Sequence, residues 1–189
     1  MFATGISAYA RLQRNFFTGS LPSELGKLEE LRELWMHRLD IKGSIPREIG
    51  NFKNMFDMRF HFTSLEGEIP DSLWSLHDLR RLDLYDTKLS GTISTEIGKI
   101  SNLSTLRLRE SQFYGTIPTE LGLLTGLDEV WLHGNNFTGS IPDELCELRG
   151  PYTLEVITAD CLGDPDPAVS CRFGCCTLCC DQVTDECSS

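Results

Sequence analysis

Six glycines recur at intervals of 24 residues, and each opens a phrase of the form Gly-x-Ile-Pro or a close variant of it. The positions are Gly19, Gly43, Gly67, Gly91, Gly115 and Gly139. A fixed period of about 20 to 50 residues is typical of stacked-repeat proteins, in which each repeat packs only against its neighbours. The spacing therefore predicts one elongated solenoid for most of the chain.

Within each period, apolar residues follow the frame LxxLxxLxL before the glycine phrase. In the second period Leu28, Leu31, Leu34 and Met36 occupy the frame, and Ile41 precedes the glycine. The alternation Leu-x-Leu predicts a short strand with one inward face. Glycine then permits a tight turn, and proline fixes φ at the entry to a short helical segment. About seven stacked rungs of this kind form a parallel sheet.

The full pattern, LxxLxxLxLxxNxFxGxIPxxLGxL, resembles the plant-type leucine-rich repeat across residues 10–163. The segment VWLHGNNFTG at residues 130–139 is nearly the consensus. The resemblance implies an α/β solenoid, a right-handed curved superhelix with its parallel sheet on the concave side. It also implies two parts, a solenoid at residues 1–160 that lacks its N-terminal cap and a cysteine-rich cap at residues 161–189.

The first rung is degenerate, because Thr4, Ser7 and Ala10 occupy its leucine positions. A terminal rung needs a cap, since it otherwise exposes core and an unpaired strand edge. We therefore expect a chain that is the C-terminal part of a longer protein, or one without its N-terminal cap and targeting segment. The alternative is a self-cap made of residues 1–7. No apolar run reaches the ~18 residues of a membrane span.

In the family, an asparagine inside each turn satisfies buried backbone groups, which is a structural role. The corresponding residues here are Asn15, Leu39, Thr63, Thr87, Ser111, Asn135 and Ala159. Hydroxyl groups perform part of this task, whereas Leu39 and Ala159 cannot. These two residues, together with Ser94 in place of the proline, predict local loss of rigidity without loss of the fold.

Function is expected on the strand positions that the apolar frame leaves free. One column of them reads Arg11, Trp35, Arg59, Asp83, Arg107, Trp131 and Glu155. The next column reads Gln13, His37, His61, Tyr85, Arg109, His133 and Ile157. Trp, Tyr and Arg are enriched at binding hot spots because they combine large apolar area with directional hydrogen bonds. The predicted ligand-binding residues are Arg11, Trp35, His37, Arg38, Arg59, His61, Tyr85, Arg107, Arg109, Trp131 and His133. The alternative is a solvated face with no ligand.

Two finer hypotheses concern this face. Arg107 and Arg109 point the same way from one strand and resemble the Arg-x-Arg pair with which plant peptide receptors hold a free carboxylate. His37 and His61 are equivalent positions on adjacent strands, so their rings lie about 5 Å apart, near enough for a shared metal or an acid–base pair. No third ligand is evident, and no catalytic set stands out. We therefore predict no catalysis, no cofactor and no metal.

All eight cysteines follow residue 145: Cys146, Cys161, Cys171, Cys175, Cys176, Cys179, Cys180 and Cys187. Clustering at the end of a solenoid indicates a disulfide-stapled cap, although eight cysteines permit 105 pairings. Adjacent cysteines are expected to bond elsewhere rather than to each other. The alternative is zinc, since Cys176-x-x-Cys179 has ligand-like spacing. The segment resembles the C-terminal caps of extracellular leucine-rich-repeat proteins from diatoms and related algae.

Two sequons, at Asn102 and Asn136, predict a glycoprotein on the secretory route. From Asp143 onward there are ten acidic and two basic residues, which disfavours nucleic acid as a partner. We interpret the chain as a non-catalytic extracellular or cell-surface module that binds a peptide or protein. By resemblance it belongs with receptor-like ectodomains, where signalling needs further sequence or a co-receptor. The alternatives are a secreted inhibitor of a carbohydrate-active enzyme and a structural wall or adhesion protein.

Overall fold

Short strands alternate with one-turn helices along the chain, as the 24-residue period predicts. The computed structural model describes residues 8–149, 154–162, 169–171, 175–181 and 187–188. The predicted self-cap at residues 1–7 lies outside them.

The strands are β1 (Tyr9–Arg11), β2 (Thr18–Ser20), β3 (Glu33–Trp35), β4 (Asp40–Gly43), β5 (Asp57–Arg59), β6 (Ser64–Glu68), β7 (Arg81–Asp83), β8 (Lys88–Gly91), β9 (Thr105–Arg107), β10 (Gln112–Thr116), β11 (Glu129–Trp131), β12 (Asn136–Ser140), β13 (Val156–Leu162), β14 (Val169–Ser170), β15 (Leu178–Asp181) and β16 (Cys187–Ser188).

The helical segments of the first five rungs are 3₁₀ helices, at Ser23–Lys27, Arg47–Asn51, Asp71–Ser75, Thr95–Lys99 and Thr119–Leu123. The sixth is the short helix α1 (Asp143–Cys146). Proline precedes five of the six. Ser94 precedes the other, and its hydroxyl accepts a hydrogen bond from the backbone N–H of Glu96. The serine thus caps its helix, which offsets the missing proline.

The strands form two sheets. The main sheet has the order β1-β3-β5-β7-β9-β11-β13-β15-β16 and is parallel except for its last pair. The second sheet has the order β14-β12-β10-β8-β6-β4-β2 and is parallel throughout. The sequence did not predict the second sheet, because the segment after each turn shows no clear apolar alternation. The solenoid and its parallel main sheet are confirmed.

The core lies between the two sheets and the helices. The main sheet contributes Leu34, Met58, Leu82, Leu106 and Val130, all fully buried. The second sheet contributes Ile41, Leu65, Leu89, Phe113 and Phe137. Each rung therefore buries its side chains against the rung before and after it, as a solenoid requires.

Polar side chains inside the turns link neighbouring rungs. The Asn135 amide donates to the carbonyls of Leu108 and Leu132, and its oxygen accepts the N–H of Phe113. Thr63 donates one bond, to a carbonyl of its own rung. The Thr87 hydroxyl contacts the Leu84 carbonyl of its own rung and, at 3.0 Å, the Ser111 hydroxyl of the next rung. The hydroxyls thus do part of the asparagine's task, as predicted.

The seventh rung is displaced from the predicted register. Trp131 pairs with Thr158, three residues beyond the predicted Glu155. Ile157 lies in the core rather than on the free face, and Ala159 is also buried. The prediction for these three residues was wrong because the chain is longer between the sixth and seventh strands. Asp160 closes this turn instead, since its carboxylate accepts the N–H groups of Gly134 and Asn135.

A disulfide cluster closes the C-terminal end, as predicted. The bridges are Cys146–Cys175, Cys161–Cys179 and Cys171–Cys176, and Cys180 is also disulfide-bonded. The adjacent Cys175 and Cys176 bond elsewhere, as expected. The Cys187 side chain lies outside the described residues. The sulfurs of Cys161, Cys176 and Cys179 lie within 4.8 Å of one another, but bridged sulfurs are not the thiolates that zinc needs.

The proposed division at residues 160 and 161 stays a prediction. Strand β13 continues the main sheet across this boundary.

Candidate functional site

The first column of free positions forms the centre of the main-sheet face, the outward side of β1 to β13. Strand pairing places Arg11, Trp35, Arg59, Asp83, Arg107 and Trp131 side by side, as the period predicts. Trp35 lies between two guanidinium groups, with its ring centroid 4.2 Å from Arg11 and 4.1 Å from Arg59. Stacking of this kind fixes long side chains on the sheet.

The two arginines beside Trp35 are also ion-paired. Arg59 donates to both carboxylate oxygens of Asp57, at 2.7 and 2.6 Å, and Arg11 donates to Glu33 at 2.6 Å. The hydrogen bonds to Asp57 raise the pKa of Arg59, although burial opposes this. Both carboxylates are buried, which the repeat pattern did not predict. Side chains of adjacent rungs cover one another across the sheet.

A second ionic group occupies the C-terminal half of the column. Arg107 donates to Glu129, at 2.6 Å for its closer nitrogen, and the indole of Trp131 donates to the same oxygen at 3.0 Å. Burial would raise the pKa of Glu129, but these hydrogen bonds outweigh it and lower the pKa. Asp83 lies 3.5 Å from Arg81 and 3.9 Å from Arg107. Burial raises the pKa of the Asp83 carboxyl, although the charges of these two arginines act to lower it.

The second column is a stack of rings. The centroids of His37 and His61 lie 4.2 Å apart with planes at 13°, and those of His61 and Tyr85 lie 4.4 Å apart at 8°. We call these three rings the aromatic ladder. The Arg109 guanidinium lies 4.4 Å from the Tyr85 centroid and so extends the stack by one rung.

Both histidines of the ladder are neutral near pH 7. Burial lowers the pKa of His61 to about 3, assisted by repulsion from His37 and Arg38. Burial also lowers the pKa of His37, followed by repulsion from Arg59. The stacked rings point their in-plane lone pairs in parallel, which does not suit a shared metal. Their depressed pKa values likewise do not suit an acid–base pair near neutral pH.

A third column follows the ladder at positions with left-handed backbone. Arg14, Arg38, Phe62, Asp86 and Glu110 have φ between 51° and 58°, and Gly134 has the equivalent position at 68°. Arg38 stacks on Phe62 at 4.6 Å, and Phe62 contacts Tyr85 edge-on at 5.4 Å. Phe62 was not among the predicted site residues. The sequence signal that could have identified Phe62 is its position one 24-residue period after Arg38, in the same column.

The arginines of this face differ in their partners. Arg11, Arg59, Arg81 and Arg107 each pair with a carboxylate. Within the described part of the chain, Arg38 and Arg109 lie within ion-pair distance of no carboxylate and contact only rings. Arg109 also lines a shallow cavity of about 190 Å³ with Tyr85, Arg107 and Trp131. The Arg107/Arg109 pair is thus unequal, since Glu129 already holds Arg107.

The remaining predicted residues are His133 on this face and the two sequon asparagines, which lie outside it. His133 is buried rather than solvated, and its Nδ1 lies 2.6 Å from the Thr158 hydroxyl. Asn102 is exposed beside a helix and Asn136 is exposed at the start of β12, so Asn136 belongs to a strand and not to a turn. In the described residues, no helix combines the length and apolarity that crossing a membrane requires.

Known proteins resemble the chain in sequence pattern and in fold. A family model for the Leucine Rich Repeat matches residues 78–100 and 126–148. None of the curated proteins matches the chain. One similar structure is the Arabidopsis receptor kinase HAESA in complex with the peptide hormone IDA and the co-receptor SERK1. Its TM-score is 0.75 and its identity 31%, over 80% of this chain and 25% of that chain.

Two further structures are similar. One is the leucine-rich-repeat ectodomain of the receptor kinase GASSHO1/SCHENGEN3 from Arabidopsis thaliana with CASPARIAN STRIP INTEGRITY FACTOR 2, at a TM-score of 0.76 and 32% identity, over 85% of this chain and 18% of that chain. The other is a plant ice-binding protein, at a TM-score of 0.67 and 32% identity, over 76% of this chain and 44% of that chain. The chain therefore spans a quarter or less of the two receptor chains.

Proposed function

We propose that this leucine-rich-repeat protein is a non-catalytic recognition module that binds a peptide or protein ligand on its main-sheet face. The observation that carries the proposal is the composition of that face. Two tryptophans, three stacked rings and a set of arginines lie together on the outward side of one rigid sheet. Rigid aromatic and guanidinium groups lose little entropy on binding, which suits them to recognition.

The similar receptors support the proposal. The HAESA structure contains a peptide hormone and a co-receptor, and the GASSHO1/SCHENGEN3 ectodomain is in complex with CASPARIAN STRIP INTEGRITY FACTOR 2. By analogy, the ligand of this chain is an extended peptide or a protein segment, and a co-receptor is a second partner. The family model that matches the chain describes a repeat and names no enzymatic activity.

We further propose that the protein is extracellular or exposed at a cell surface. Disulfides persist in oxidising compartments, and this chain closes its C-terminal end with a cluster of them. Glycosylation at Asn102 and Asn136 stays a prediction, as do the diatom-like origin of the cap and the exclusion of nucleic acid.

The test compares peptide binding by two double variants, one altered on the main sheet and the other on the second sheet. Trp35→Ala with Trp131→Ala removes both indoles of the main-sheet face and keeps the Arg59–Asp57 and Arg107–Glu129 pairs. Tyr114→Ala with Thr138→Ala alters exposed positions of the second sheet to a similar extent. A random peptide display library is selected against the wild-type protein, and the selected peptides are then measured against both variants.

We expect the tryptophan variant to lose most of the binding and the second-sheet variant to keep it. Equal binding by all three proteins, or selection of no peptide, would contradict the proposal. Inhibition of a carbohydrate-active enzyme by the wild type would support the inhibitor alternative. Weak multivalent attachment to wall material, without peptide binding, would support the structural alternative.

A further inference from the structure

We infer that the main-sheet face takes an extended acidic ligand held at two points, with Arg38 and Arg109 each binding a carboxylate and the aromatic ladder packing against the uncharged stretch between them. This inference rests on the function proposed above. It adds the charge of the ligand, the spacing of its two acidic groups and the chemistry of the residues between them.

The first step is the division of the arginines into two kinds. Buried or half-buried carboxylates hold Arg11, Arg59 and Arg107 at 2.6 Å, so their guanidinium groups serve the sheet itself. In the described chain, Arg38 and Arg109 contact aromatic rings and no carboxylate. Glu110, the residue after Arg109, lies 3.8 Å from His133. A ligand carboxylate can therefore pair with either of these two ring-stacked cations.

The second step is the orientation of these cations. Arg38 lies on Phe62 at 4.6 Å and Arg109 lies on Tyr85 at 4.4 Å. A guanidinium that stacks by its face keeps its edge N–H groups free, and those groups bind carboxylates in a bidentate manner. Because the rings already restrict both side chains, binding costs less rotamer entropy than it would for free arginines.

The third step is the distance between the two points. Arg38 follows β3 and Arg109 follows β9, which are separated by two strands of the main sheet, β5 and β7. At about 4.8 Å per strand the backbone positions of the two arginines are roughly 14 Å apart along the solenoid. An extended chain rises about 3.3 Å per residue, so its two acidic side chains are about four residues apart.

The fourth step is the surface between them. His37, His61 and Tyr85 stack face to face, so they leave ring edges rather than ring faces for contact, and Phe62 borders them with 38% of its surface exposed. The buried Asp83 lies 4.0 Å from His61 and has Arg81 and Arg107 beside it. The uncharged ring edges and the exposed Phe62 ring favour aromatic residues or proline in the middle of the ligand.

The experiment uses a library of random 12-residue peptides displayed with both ends joined to the carrier, so that no terminal carboxylate is free. Selection uses the full wild-type chain. We expect enrichment of Asp or Glu pairs three to five positions apart, with aromatic residues or proline between them. Arg38→Gln and Arg109→Gln are each expected to weaken a selected peptide about ten-fold, equivalent to about 1.4 kcal/mol.

The double variant should weaken binding about a hundred-fold, because sites more than about 10 Å apart act independently. Arg47→Gln is the matched control, since Arg47 is exposed on a helix away from the face. Selected peptides without a spaced acidic pair, or peptides that lose binding to the Trp35 and Trp131 variant but not to the double arginine variant, would overturn the inference alone. Binding that is unchanged in both the double arginine variant and the tryptophan variant would overturn the proposed function with it.

Discussion

The two sheets of this solenoid share one core and one 24-residue period, yet their outward side chains differ. On the main sheet, the outward residues are half-buried and contact one another through ion pairs and stacked rings. On the second sheet, outward residues such as Lys42, Glu66 and Thr138 are exposed. Both arrangements support the same fold, so the fold does not require the crowded face. A crowded face of this kind is what the proposed recognition function requires.

The largest effect is expected from breaking an ion pair of the main-sheet face. Arg59→Ala leaves the buried Asp57 without its partner and removes one of the two cations beside Trp35. We expect a loss of about 3 kcal/mol in unfolding free energy, measured by chemical denaturation. Lys88→Ala on the second sheet is the control, with a change below about 0.5 kcal/mol. An equal loss of unfolding free energy in Arg59→Ala and Lys88→Ala would contradict the difference between the two sheets.

The next effect concerns the turn between the sheets. Asn135→Ala leaves the Phe113 N–H and the Leu108 and Leu132 carbonyls without their shared partner. We expect a loss of about 2 to 3 kcal/mol. Thr63→Ala, which removes one bond to its own rung, should lose about 1 kcal/mol. A larger loss for Thr63→Ala would show that the asparagine does not join the two sheets.

A smaller effect should appear in the pH dependence of stability. Because the pKa of His61 is about 3 in the folded protein and near 6.5 when unfolded, the unfolded state binds more protons between these values. Stability contributed by this group is full above about pH 6.5 and falls as the pH drops, by up to about 1.4 kcal/mol per pH unit.

His61→Phe keeps a ring in the ladder and removes the titration. The groups that face His61 are His37, Arg38, Arg59, Asp83 and Arg107, and all remain in the variant. We expect its unfolding free energy to fall less steeply than that of the wild type between pH 6.5 and pH 4. Identical slopes would mean that the ladder is more hydrated than its burial indicates.

The smallest effect is expected on the second sheet. Thr138→Ala alters an exposed residue that has no side-chain hydrogen bond within the described chain. Its unfolding free energy should change by less than about 0.5 kcal/mol, and its peptide binding should not change. A loss of binding here would assign recognition to both sheets.

Much of the main-sheet face followed from the sequence, because a period of 24 residues fixes which residues are neighbours. The columns from Arg11 to Trp131 and from His37 to Arg109 were predicted correctly on that basis. The period says nothing about burial between rungs, so the sequence did not predict that Glu33, Asp57 and His133 are buried. Their burial depends on the length and pairing of side chains from adjacent rungs.

Two other features were beyond the pattern. The seventh rung is displaced by three residues from the 24-residue register. The residues added between the sixth and seventh strands carry no repeat signature, so the sequence pattern did not locate them. The second sheet depends on backbone pairing of short segments that contain Gly67 and its equivalents. These glycines have positive φ but lie within the strands, so the expectation that they form a tight turn was wrong. The outward residues of these segments have no common chemistry that would predict a strand.

The central claim is that a ligand lies on the main-sheet face, and oxidative footprinting of a bound peptide tests it most directly. Hydroxyl radicals modify exposed aromatic side chains, and the chain carries such side chains on both sheets. Peptide selected on the wild type should protect Phe62, Tyr85 and Trp131 and leave Tyr114 of the second sheet unchanged. Protection of Tyr114 without protection of the main-sheet aromatic residues would contradict the account.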